Sequence, residues 1–87
     1  MEDSKKRPCF IILPVVTWSR LNNKEYKHVT PHMFNLDKII CFVPSSHNFR
    51  GEYIEVTTVW LQDVDSSLDV DMPIAEIRDM IAGKEYV

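Results

Sequence analysis

Apolar and β-branched residues fall in short runs along this chain, each closed by a proline or a turn residue, which is the pattern of strands. Residues 9–18, from Cys9 through Trp18, predict a first strand. Pro14 cannot donate a ladder hydrogen bond, so this strand is expected to lie at an edge or to break there. Asn22-Asn23 marks a turn. Alternation over Tyr26, His28 and Thr30 predicts a weak second strand that Pro31 ends. Met33 to Asp37 fits either a helical turn or an extended link.

Residues 38–43, Lys-Ile-Ile-Cys-Phe-Val, form a compact run closed by Pro44 and read as a buried strand. Ser45 to Gly51 reads as a loop carrying His47, Asn48 and Arg50. Residues 52–62 are the strongest strand, dominated by β-branched and aromatic side chains. Ile54, Val56, Thr58 and Trp60 share one face; Tyr53, Glu55, Thr57, Val59 and Leu61 share the other. Both faces carry apolar groups, so the strand is expected to be central or covered on one side by a partner chain. Asp63 to Ser67 predicts a turn, and Leu68 to Asp71 a short returning strand. Pro73 suits a first helical turn, Ile74, Ile77 and Ile81 recur at helical spacing, and Gly83 suits the stop. The expected fold is α+β or mainly β: a small antiparallel meander of four to five strands with a short C-terminal helix. Residues 1–8 read as a flexible leader, 9–83 as one domain and 84–87 as a tail.

Composition narrows the function more than it names it. The chain has 87 residues, 45% hydrophobic and 26% charged, as an ordinary single domain has. A core this small leaves oligomerisation as a natural source of further buried area. Two glycines are too few for a phosphate-cradling loop. A net charge of −3 disfavours sequence-independent nucleic-acid binding, which needs a basic excess. The exception is Lys5-Lys6-Arg7, which supports at best a weak nucleic-acid contact through an N-terminal arm. No run reaches the length of a membrane-spanning helix, and no signal peptide is visible. Cys9 and Cys41 each sit in an apolar run and read as buried thiols in a reducing cytoplasm, bacterial or of an infected host cell. Whether they lie close enough to bond is open at this level.

Constellations that carry chemistry fail at particular positions. The acidic run Asp63 to Asp71 imitates a calcium loop, but Leu68 stands where the loop needs glycine and Ile74 where it needs glutamate. His28 and His32 are spaced like a helical zinc pair, yet Pro31 between them removes the helix. No pair of cysteines is two apart. Ser45-Ser46-His47 places hydroxyls beside an imidazole, without the convergence that a triad requires. No catalytic set, metal or cofactor is therefore expected, and the chain reads as a binding protein and not an enzyme. The aromatic and basic residues Trp18, Arg20, His47, Arg50 and Trp60 are the candidate ligand contacts, by stacking and by anion recognition.

A resemblance supports the strand order. The stretch Thr17-Trp-Ser-Arg20-Leu-Asn-Asn-Lys-Glu25-Tyr26 resembles the opening strand and turn of the FlbD-like proteins, a family named for a flagellar protein and also met in phage and mobile-element genomes. Asn35-Leu-Asp-Lys-Ile39 resembles their link and middle strand, Thr57-Thr-Val-Trp-Leu61 their third strand, and Val70 to Ile77 the opening of their terminal helix. The turn glycine is Asn23 here, and Met72-Pro73 replaces the Glu-Ser that caps the helix. The resemblance covers about three-quarters of the chain and implies strand order and helix, with no catalytic residues. Together these readings give a binding protein expected to self-associate and to engage a protein partner. The alternative is a phage-type binder of a small signalling nucleotide, acting against host defence.

Overall fold

A computed structural model describes residues 9–84 of the chain; the expected leader and nearly all of the tail lie outside the described residues. Five strands and one helix follow in order: β1 (Phe10–Leu21), β2 (Lys24–Asn35), β3 (Ile39–Phe49), β4 (Glu52–Leu61), β5 (Ser67–Val70) and α1 (Ile74–Lys84). A single 3-10 turn, Leu36–Lys38, links β2 to β3, with Asn35 accepting a hydrogen bond from the Asp37 backbone N–H. All strand pairs are antiparallel and the spatial order is β2-β1-β5-β4-β3. The expected small antiparallel sheet with a C-terminal helix is what forms. It consists of two long hairpins, β1–β2 and β3–β4, with short β5 inserted between them.

The hairpin turns follow from backbone preference. Asn22 and Asn23 both take positive φ (55° and 65°), the conformation that a two-residue turn matching strand twist demands and that Asn tolerates. Arg50 and Gly51 form the second turn at φ 53° and 85°. The expected loop 45–51 is thus corrected: Ser45 to Phe49 belong to β3, and only Arg50-Gly51 turns.

The prolines do not act as predicted. β1 passes through Pro14 unbroken and is an interior strand, paired with β2 and β5. Pro14 lies opposite Pro31, and two residues without N–H groups can face each other only where neither would bond across the pair. The Pro14 carbonyl points the other way and accepts from the Asp71 N–H at 2.8 Å. Pro31 and Pro44 lie within β2 and β3, the two edge strands, where a missing donor is tolerated and blunts pairing with another chain.

The core is split between the two faces of the sheet. Ile11, Leu13, Val15, Phe34, Val59, Val70 and Ile77 form one buried cluster, roofed by α1. Val15 and Val16 are both buried although neighbours on a strand face opposite sides, and so are Val56 and Thr57. The middle of β4 is therefore covered on both faces from within the chain, which settles the expectation that this strand is central. Towards the hairpin turns the second face is covered by curling of the sheet, which brings β1 and β2 against β3 there; the far end of that face, with Ile12 and Met33, stays open.

Candidate functional site at the hairpin junction

Curling brings the turn of β1–β2 against the turn of β3–β4. Glu25, the second residue of β2, is the clasp. Its carboxylate accepts the Arg50 backbone N–H at 2.9 Å, and its carbonyl accepts the Arg50 side-chain Nε and Nη2 at 3.1 and 2.8 Å. These bonds hold Arg50 in a left-handed conformation that costs an ordinary residue about 1–2 kcal/mol. The Arg50 guanidinium also lies 5.8 Å from the Tyr26 ring and 5.2 Å from the Phe49 ring, within cation–π range. Arg20 reaches the other Glu25 oxygen at 3.4 Å, with its side chain 65% exposed.

Beneath the clasp, Trp18 of β1 stacks on His47 of β3, ring centroids 3.9 Å apart and planes within 10°, with Phe49 tilted alongside at 5.4 Å. Trp18 Nε1 and His47 Nε2 are buried without a hydrogen-bond partner. Outside this stack, an open cleft of about 600 Å³ is lined by Arg20, Asn23, Lys24, Glu25, Tyr26 and Arg50.

Four of the five predicted contacts, Trp18, Arg20, His47 and Arg50, thus gather at one end of the molecule. Trp60 does not join them. It pairs with Cys41 and Ser67, eight strand positions from Glu52, which is about 26 Å along β4. The residue is 41% exposed. Trp18 is not a free platform either, since His47 already covers it. Sequence reasoning missed Glu25, Lys24, Tyr26 and Phe49. Gly51 between two extended runs is itself a turn signal, and it would have put Arg50 beside a turn.

The remaining chemistry-bearing groups are dispersed. Asp63 pairs with Lys38, Asp69 accepts from Thr58, and Asp71 pairs with Lys27 at 3.0 Å. Ser19 contacts His28 Nε2 at 3.0 Å on an exposed surface, and among the described residues no carboxylate orients that imidazole. His32 lies beside Phe34. Among the described residues no three His, Cys, Asp or Glu side chains are placed to hold a metal ion, and no helix is long and apolar enough to cross a membrane. Cys9 is half-buried and, against expectation, Cys41 is exposed, because it faces outward from β3 beside a bulge. Both thiols are free. They line an apolar cleft with Leu36, Ile39, Phe42 and Ile81.

Comparison with protein-family models, with curated proteins and with solved structures gives no match.

Proposed function

We propose that the protein is a non-catalytic binding module that associates with copies of itself through the β1–β2 hairpin. One observation carries this reading. Ile12 and Met33 face each other across the hairpin and are 55% and 67% exposed, with exposed Phe10 and Val29 on the same face. Pro14 and Pro31 continue that face. A contiguous apolar patch on a small domain is a docking surface more often than an accident. Pairing with a second copy gives a thin core the area it lacks. The middle of β4, the motive that the sequence offered, does not serve here because the chain covers it.

Burying a side chain such as Ile12 stabilises an interface by about 1.5–3 kcal/mol, or roughly ten- to hundredfold in affinity. Sedimentation equilibrium on the wild type and on Ile12→Glu tests the reading. The expected result is an oligomer that Ile12→Glu dissociates while far-UV circular dichroism stays unchanged. A wild-type protein that remains monomeric at about 500 μM, where even weak association of a few kcal/mol shows, overturns it.

A further inference from the structure

We propose that the cleft at the hairpin junction binds a phosphate-bearing small molecule, held by its oxyanion between Arg20 and Lys24. This goes beyond the self-association reading and is independent of it, since Ile12 lies eight strand positions from Arg20, about 26 Å away.

Three cations and one carboxylate line this cleft, in a chain whose net charge is −3. Positive charge has been gathered at one place against the overall sign. The single carboxylate does not neutralise it. Glu25 spends one oxygen on the Arg50 backbone and offers the other to Arg20 only at 3.4 Å, longer than a well-formed charged hydrogen bond. Lys24 has no carboxylate partner among the described residues, whereas Lys27 and Lys38 each have one. Arg50 is committed through Nε and Nη2 to the Glu25 carbonyl and builds the wall. Arg20 and Lys24 are left as a fork and a point charge beside one open space.

That combination selects the ligand class. A phosphoryl group offers several oxygens and close to two negative charges, which suits a bidentate arginine and a lysine together. A monocarboxylate can touch both but carries a single charge, which neutralises only one of them. The 600 Å³ of space exceeds what a bare ion fills and falls in the range of small-molecule sites. His47 covers the Trp18 ring, and Arg50 lies over one face of Tyr26. The charged contacts are to the phosphate, so inorganic pyrophosphate is a sufficient probe.

The test is a titration of the full chain with pyrophosphate at constant ionic strength, followed by amide ¹H–¹⁵N spectra. Saturable shifts centred on Arg20, Asn23, Lys24 and Arg50 are expected. The variant carrying Arg20→Gln and Lys24→Gln should bind at least about tenfold more weakly, since each loses a charge-assisted contact. Glu25→Gln should bind more tightly, because its amide oxygen still accepts from the Arg50 N–H while the competing negative charge is gone. Dispersed spectra establish that each variant folds, and Lys24→Gln alone replaces the double variant if that one does not. Absence of saturable shifts at about 10 mM pyrophosphate, or equal affinity in wild type and charge-removed variant, overturns the proposal. Diffusion measured on the same samples reports association separately, so the failure of either reading leaves the other standing.

Discussion

Thr57 is completely buried in β4, and its Oγ1 donates a 2.8 Å hydrogen bond to the Met72 carbonyl. Met72 lies in the joint between β5 and α1, where its own N–H bonds to the Val70 carbonyl at 2.8 Å. The Pro73 carbonyl then receives the first helical N–H groups, from Glu76 and Ile77. One hydroxyl thus ties the sheet to the point where the chain turns into its roofing helix. Thr57→Val keeps the side chain's shape and removes the donor. The lost bond has a net value of about 0.5–1.5 kcal/mol, and a part-buried acceptor deprived of its partner adds to it, so the expected cost is about 1–2 kcal/mol. Thr57→Ser keeps the bond and loses one methyl, for about 1 kcal/mol of transfer and cavity energy. Thr57→Ala loses both and should cost about 2–3 kcal/mol, near the sum.

Urea unfolding followed by circular dichroism resolves the three variants. The midpoint should fall in the order Ser, Val, Ala while the slope holds, since the surface exposed on unfolding barely changes. For a domain this small, about 1 kcal/mol also lowers Tm by roughly 4–8 °C. A Thr57→Val protein as stable as the wild type, or more stable than Thr57→Ser, would refute the reasoning. Volume alone would then explain why Thr57 is buried, and the joint would not depend on its hydroxyl.

Two further expectations concern backbone and packing. Gly51 has φ +85° and nothing within 4 Å of a Cβ placed there, so Gly51→Ala should cost about 1 kcal/mol purely through backbone strain; an unchanged unfolding midpoint would show that the turn relaxes. Ile77 is buried in the core cluster and Ile77→Ala should cost about 2–5 kcal/mol, whereas exposed Glu76→Ala should stay within about 0.5 kcal/mol; equal effects at the two positions would mean that α1 does not dock through Ile77.

The apolar runs and the helical spacing of Ile74, Ile77 and Ile81 were enough to predict five extended segments' worth of sheet and the terminal helix, because each depends on local periodicity. Strand length was legible only where no proline intervened. β2 and β3 are eleven or twelve residues long, yet Pro31 and Pro44 read as stops. A proline stops a strand only if its nitrogen must donate inward. Both residues sit on edge strands, and edge position is a property of the sheet order, not of the neighbouring residues. Pro14 on interior β1 is tolerated for a related reason: its opposite number is Pro31 and its carbonyl serves Asp71. The burial of both Val15 and Val16 is likewise invisible to a period-2 reading, which assigns one of them to solvent.

The site was half legible for the same physical reason. Trp18 and Trp60 look alike in sequence, each toward the end of a β-rich run, but only curling of the sheet decides that Trp18 meets His47 while Trp60 meets Cys41 and Ser67. Arg50 shows where local and tertiary preferences part. The first central position of such a turn favours Asn, Asp or Gly, and the β1–β2 turn obeys that rule with Asn22. Arg50 breaks it at a cost of about 1–2 kcal/mol. Its three bonds to Glu25 offset that cost, but a glycine there would have avoided it altogether. Strained residues persist where the surrounding contacts over-determine them, and such places cluster at binding sites. An arginine retained in the disfavoured conformation also closes the wall of a cleft that Arg20 and Lys24 leave positively charged. On that physical ground the hairpin junction, and not the two-sided strand β4, is the part of this fold where ligand recognition is best sought.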